Sequence, residues 1–83
     1  MEIINLKGEK DEMQEEIINV LKNNRKPLSR REIAGLLKES ENKISMRIKR
    51  LIEIGEVEYI EIPRKLAMKM YHCYRRMRIY YAI

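Results

Sequence analysis

The sequence is poor in the residues that stabilise many small secreted domains. Among 83 residues there is one Cys and one His, and there is no Trp and no Phe. A single cysteine excludes an intramolecular disulfide framework and is typical of a reducing, cytoplasmic setting. Without Trp or Phe the core has to be aliphatic, and thirteen Ile residues supply much of it.

Long apolar runs are also missing. No stretch approaches the roughly 20 apolar residues needed to cross a bilayer, and the first residues include Glu2 without a long apolar core. We therefore expect no signal peptide, no membrane association and a cytoplasmic location. The length and the absence of a low-complexity linker indicate one domain over residues 1–83.

Catalytic constellations are absent as well. The chain has no Gly-rich phosphate loop and no pair of carboxylates in an apolar setting, so we expect neither an enzyme nor a cofactor. His72 and Cys73 are adjacent, but a structural zinc site needs four ligands. We expect a partly buried structural pair and no metal site, and a dimer supplying two of each residue is the open alternative.

The charge is unevenly distributed along a chain of net charge +5. Residues 1–16 carry six acids and two bases, whereas residues 64–78 carry six bases and no acid. A basic end and an acidic end on one small domain indicate that a polyanion docks on one side. The alternative is a solvated basic loop.

Two capping boxes predict where the first two helices begin. Asp11 is followed by Gln14, and Ser29 is followed by Glu32, at the spacing in which side chain and backbone cap each other. Helix 1 is predicted over 11–24, with Ile18 off the main apolar stripe. Helix 2 is predicted over 30–38. The residues expected to face the core are Met13, Ile17, Val20, Leu21, Ile33, Ala34 and Leu37.

The remaining pattern predicts a third helix and a hairpin. A helix over 42–54 buries Ile44, Ile48 and Leu51 and ends before Gly55. Residues 56–62 form a strand with burial on both faces, and 76–83 form a second strand that pairs antiparallel with it. The segment 64–75 is either one or two helical turns or an irregular loop. The expected fold class is α+β, with three helices and a C-terminal antiparallel β-hairpin.

Residues 28–62, and less closely 76–83, resemble the winged helix-turn-helix proteins, a group of small microbial transcription regulators, archaeal or viral ones among them. The resemblance lies in Leu28-Ser29 before Glu32-Ile33-Ala34, in Ile44-Ser45 with Ile48-Lys49-Arg50-Leu51, and in Gly55 and Val57. It implies that 42–54 is the recognition helix and 56–83 the wing. Two features depart from the family: no Gly or small residue stands near Lys38, and the segment between the wing strands is long and has no Asp-Gly turn.

The implied function is sequence-specific binding of double-stranded DNA. A recognition helix enters the major groove, where Asn can bond adenine, Lys or Arg can bond guanine or phosphate, and Met can contact a thymine methyl. The start of helix 2 and the basic wing would contact phosphates or the minor groove. The candidate contact residues are Ser29, Arg30, Arg31, Asn42, Lys43, Ser45, Met46, Arg47, Lys49, Arg50, Arg64, Lys65, Lys69 and Arg75.

Regulators of this kind usually bind two half-sites as dimers. The expected homodimer contacts are an N-terminal arm or strand over residues 1–8 and helix 1. Two other functions stay open, a protein–protein interaction module and an RNA-binding module. For the five tyrosines, one interpretation is a structural role in packing the hairpin. The other is a functional role in base stacking or in dimer contacts. Operator, effector, regulatory sign and chromosomal or viral origin do not follow from the sequence.

Overall fold

The computed structural model describes residues 11–83, and the expected arm over residues 1–8 lies outside that range. The described part is an α+β structure with a three-stranded antiparallel sheet in the order β1-β3-β2. The elements in chain order are α1 (Glu12–Asn23), β1 (Leu28–Ser29), α2 (Arg30–Leu37), α3 (Glu41–Glu53), β2 (Val57–Ile62), α4 (Arg64–Tyr71) and β3 (Met77–Ala82).

The predicted N-terminal caps of α1 and α2 are confirmed. The Gln14 backbone N–H donates to Asp11 Oδ1 over 2.7 Å, and the Asp11 N–H donates to Gln14 Oε1 over 2.9 Å. Ser29 and Glu32 make the same reciprocal pair at the start of α2. Each box satisfies two backbone donors that the first helical turn leaves without a partner.

The helices enclose one aliphatic core. Ile17, Ile33, Ile44 and Leu51 are completely buried there, as the helical spacing predicted. Ile18 corrects the prediction, because it was placed off the stripe of α1 and is nevertheless buried in the same core. Since α1 packs against α2, α3 and β3, its apolar face is wider than a single stripe.

The turn between α2 and α3 contains a residue in the left-handed region. Lys38 has φ 57° and ψ 45°, and its N–H donates to the Ala34 carbonyl, so it ends α2 in a conformation that glycine adopts more easily. Ser40 then caps α3 by accepting from the Lys43 N–H. At the other end of α3, Gly55 adopts φ 79°, as its position after the helix predicted.

Each face of the hairpin contributes some buried residues, as predicted for residues 56–62, but in β2 these are only Val57 and Ile62 at its two ends. β2 pairs antiparallel with β3, with Tyr59 opposite Tyr80 and Ile60 opposite Ile79. Val57 and Tyr80 belong to the helical core, whereas Ile62 and Ile79 belong to a second cluster around Ala67. The alternation of β3 predicted one apolar face, with Tyr80 on the other side. Tyr80 is nevertheless only 5% exposed, because both faces of β3 are covered.

The number of helices differs from the prediction. Three were expected, and residues 11–83 contain four, because α4 forms between β2 and β3. It begins after Pro63, packs Ala67 against the sheet and ends at His72, which has φ 55°. Pro63 makes no side-chain cap, so the usual start signal of a helix is missing from the sequence. Residues 63–76 are called the α4 insert below.

Among residues 11–83, no helix is both long and apolar enough to cross a bilayer.

We predict that Ile48→Ala lowers the free energy of unfolding by about 2–4 kcal/mol, because it opens a cavity in a core where Ile48 is 2% exposed. The measurement is urea denaturation followed by circular dichroism, with Ile60→Ala as the exposed control. A midpoint equal to that of the unsubstituted protein would show that Ile48 contributes nothing to the core.

We predict that Lys38→Gly raises the free energy of unfolding by about 1 kcal/mol, because glycine adopts the left-handed conformation without the strain of a Cβ. Gly55→Ala is the reverse substitution, since it adds a Cβ to a residue with positive φ. No atom lies within 4 Å of an added Cβ there, so a loss of similar size would report backbone strain alone. Thermal unfolding of both variants checks the pair, and a destabilised Lys38→Gly protein would contradict the assignment of this cap.

Candidate nucleic-acid interface

The outer face of α3 is exposed and polar along its length. Asn42, Met46 and Lys49 follow at i, i+4 and i+7, opposite the buried Ile44 and Ile48. Met46 is 69% exposed, which is unusual for a large apolar side chain on an otherwise polar helix face. A helix presenting amide, ammonium and thioether groups in one row can contact polar and methyl groups on the same partner. We call these residues, with Lys43 and Arg50, the α3 outer face.

Two ion pairs lie on this face. Lys43 Nζ is 3.7 Å from Glu39 Oε1, and Arg50 Nη1 is 3.7 Å from Glu53 Oε1. All four side chains are substantially exposed, so each pair contributes at most about 1 kcal/mol and exchanges readily for another anion. The face therefore keeps cationic groups that a polyanion can recruit.

Two predicted contact residues connect elements of the protein. Arg47 Nε is 3.4 Å from Asp11 Oδ2, and its side chain is 29% exposed, so it ties α3 to the start of α1. Ser45 Oγ accepts a 2.9 Å hydrogen bond from Arg30 Nη1. That bond holds a guanidinium of α2 beside α3. The geometry gives Arg47 and Ser45 a positioning role.

The start of α2 separates a buried serine from two exposed arginines. Ser29 is 5% exposed, and its hydroxyl accepts from the Glu32 N–H. This serine therefore serves the helix cap and does not face solvent. Arg30 and Arg31 follow it on the exposed surface of the first turn. At this end of α2 the groups open to a phosphate are the two guanidinium groups.

A groove lies between the start of α2 and the end of the α4 insert, and its volume is about 1110 Å³. Five arginines and two glutamates line it, together with Tyr71, His72 and Tyr74. The charged residues are Arg30, Arg31, Arg75, Arg76, Arg78, Glu32 and Glu41. The arginines come from both walls, and Glu32 is occupied by the α2 cap. We call this the arginine groove, and its excess of positive charge suits an anionic ligand.

Of the four basic wing residues predicted to contact DNA, one lines the arginine groove and three do not. Arg75 lines it, whereas Arg64, Lys65 and Lys69 are exposed on α4 outside it. Arg76 and Arg78 were missing from the predicted set, although both belong to the basic run of residues 64–78. The sequence analysis placed both in the second strand of the hairpin, and a strand assignment alone does not show that they approach α2. In addition, Arg78 Nη2 is 3.7 Å from Glu61 Oε2, and Arg78 Cζ lies 4.3 Å from the centre of the Tyr59 ring.

At the far end of the hairpin, the Tyr81 hydroxyl donates a 2.7 Å hydrogen bond to Glu58. This bond, reinforced by the negative charge of Glu58, raises the pKa of the Tyr81 phenol. Tyr81 and Glu58 lie outside the residues that line the arginine groove, so this bond concerns the hairpin and not the candidate site.

His72 and Cys73 lie in the loop that follows α4. His72 is exposed, and the Cys73 thiol donates to the Arg75 carbonyl over 3.4 Å. Within residues 11–83, no group of three or more His, Cys, Asp or Glu is placed to hold a metal ion. The Cys73 bond therefore links two residues within the loop that follows α4.

No protein-family model and no curated protein matches the sequence.

Proposed function

We propose that this chain is a winged helix-turn-helix protein that binds double-stranded DNA sequence-specifically and regulates transcription in the cytoplasm. In this proposal α3 is the recognition helix, and β2, the α4 insert and β3 together form the wing. The element order supports it, since a short strand precedes α2 and pairs with the returning strand of the hairpin. The chain would be a binding protein and not an enzyme.

The α3 outer face is the observation that carries the proposal. The major groove admits one α-helix, and its base edges are distinguished by hydrogen bonds and by the thymine methyl. Asn42 matches adenine, Lys49 matches guanine or a phosphate, and the exposed Met46 matches the methyl group. A helix that merely covered the core would gain nothing from an exposed methionine in this row.

The arginine groove supports the same orientation. It adjoins the start of α3, because Glu41 lines it and Arg30 is bonded to Ser45. From the α2 wall of the groove, Arg30 and Arg31 would contact the duplex backbone while α3 contacts bases. Most of the affinity would then be electrostatic, and it would fall steeply as salt is raised.

We also propose that the protein acts as a homodimer through the arm over residues 1–8 and α1, so that two recognition helices contact two half-sites. The support is the apolar sequence Met1-Glu-Ile-Ile-Asn-Leu6. In the described part of the chain, the exposed residues of α1 are acidic or polar, among them Glu12, Glu15, Glu16 and Asn19. The arm is therefore the apolar component of the proposed interface.

A protein–protein interaction module is the second candidate. It is favoured by the exposed apolar residues of α4, where Leu66, Met68 and Met70 are 41%, 39% and 61% exposed. Leu66 and Met70 stand one turn apart on the same face of α4, and exposed apolar surface of this kind marks contact sites for other macromolecules. Stable association with a protein, together with no affinity for duplex DNA at low salt, would favour this candidate.

We predict that the double substitution Lys49→Ala with Arg50→Ala weakens binding to duplex DNA without unfolding the domain. If both groups meet phosphates, the slope of log K against log salt should flatten by about 2. Fluorescence anisotropy at three salt concentrations measures both effects, and circular dichroism checks the fold.

The matched control is Lys22→Ala with Arg25→Ala, which removes the same charge from the end of α1 and the turn after it. The control should lose less affinity than the α3 variant. Equal losses would reduce the effect to net charge, and unchanged affinity of the α3 variant would rule out α3 as the recognition helix.

We predict that sedimentation equilibrium at micromolar concentration gives twice the chain mass for the full protein. A variant lacking residues 1–8 should sediment as a monomer, because the apolar arm is the proposed contact. A monomeric full chain, or a dimer that survives the deletion, would contradict this interface.

A further inference from the structure

We propose that the arginine groove binds an unpaired nucleotide strand that extends from the duplex held by α3, so that the preferred ligand is a junction between duplex and single-stranded DNA. This inference rests on the proposed function, since the duplex part of the ligand is the one assigned to α3. It adds a second site with its own chemistry, in which a sugar–phosphate backbone is neutralised and a base is stacked.

The first observation is that three cations of the groove lack side-chain partners in the part of the chain that the structure describes. The side chains of Arg31, Arg75 and Arg76 make no ion pair or side-chain hydrogen bond within residues 11–83. They stand on opposite walls, Arg31 on α2 and the other two after α4. Like charges gathered around one concavity repel each other, and an anionic backbone running between them removes that cost.

The second observation is that the loop after α4 is fixed in place. The Cys73 N–H donates to the Ala67 carbonyl over 3.2 Å, and the Cys73 thiol donates to the Arg75 carbonyl. Tyr71 and Cys73 also pack against the cluster of Ile62, Ala67 and Ile79. A loop anchored at these points holds its exposed groups in position before a ligand arrives.

Tyr74 is the group that this anchored loop presents. Its side chain is 71% exposed and lines the arginine groove. An exposed aromatic ring beside unpaired arginines is the arrangement that holds single-stranded nucleic acid, with bases stacked on the ring and phosphates on the cations. A base inside a duplex is already stacked, so this ring favours an unpaired base.

The groove also continues from the start of the recognition helix. Glu41, the first residue of α3, lines it, and Arg30 joins α2 to Ser45 of α3. A strand that leaves the duplex at this end of α3 would therefore enter the groove beside Glu41 and Arg30. The volume of about 1110 Å³ exceeds that of sites for drug-sized ligands, which leaves room for more than one nucleotide.

The test compares labelled DNA ligands with one common paired region: a blunt duplex, the same duplex with six unpaired thymidines at the 3′ or the 5′ end, and free oligothymidine. Fluorescence anisotropy with the full chain should show about tenfold tighter binding to one of the two overhang duplexes than to the blunt duplex. Equal affinity for all three duplexes would overturn the inference and leave duplex binding intact.

Substitutions at Tyr74 identify the stacking group. Tyr74→Leu should abolish the preference for the overhang and keep the affinity for the blunt duplex, whereas Tyr74→Phe should keep both, because it retains the ring. A Tyr74→Leu protein with the full preference would overturn the role of the ring. Since Tyr74 is exposed, both variants are expected to fold, and circular dichroism checks this.

A charge-matched pair tests the groove itself. Arg75→Gln with Arg76→Gln should reduce overhang binding more than blunt binding. Lys65→Gln with Lys69→Gln removes the same charge outside the groove and should reduce both equally. If the protein bound no duplex, the proposed function would fail, and binding of free oligothymidine would then test the groove by itself. Oligothymidine binding that depends on Tyr74 would support the groove as a single-strand site, and no such binding would overturn that inference.

Discussion

The burial of β3 on both faces is the constraint on which the rest of the structure depends. One face of the hairpin contributes Val57 and Tyr80 to the core of α1, α2 and α3, and the other contributes Ile62 and Ile79 to the cluster under α4. Because β3 also lies between β1 and β2, a single strand fixes the start of α2 relative to the α4 insert. The two walls of the arginine groove are therefore set by buried aliphatic contacts and not by the charges that line it.

The charged surface follows from this framework. Exposed ion pairs such as Lys43 with Glu39 contribute little to stability, so the cations of α3 are available to a stronger anion. Four acids lie at the start of α1, where Glu12 and Glu15 favour the positive end of the helix dipole and Asp11 pairs with Arg47. In the proposed function, a polyanion would therefore be directed away from α1 and towards α3 and the arginine groove.

Capping residues and helical spacing in the sequence predicted α1, α2 and α3 well, but they did not predict α4. Capping boxes at Asp11 and Ser29, and the glycine after α3, fixed three boundaries because each involves atoms only a few residues apart. α4 has no side-chain cap, and its stability comes from packing Ala67 on a sheet face that exists only after β2 and β3 pair. The same long-range pairing brings Arg76 and Arg78 into the same groove as Arg30, an arrangement that no spacing in the sequence encodes. The positioning roles of Arg47 and Ser45 also depend on contacts between helices.

The most direct test of the central claim is to map the duplex on the protein surface by nuclear magnetic resonance. Isotope-labelled protein would be titrated with a random-sequence duplex at low salt and then returned to high salt. The proposed interface predicts salt-reversible amide shifts at Asn42, Met46 and Lys49 and at Arg30 and Arg31, with α1 unaffected. Shifts confined to α1 and the apolar residues of α4, or no shifts at low salt, would contradict it.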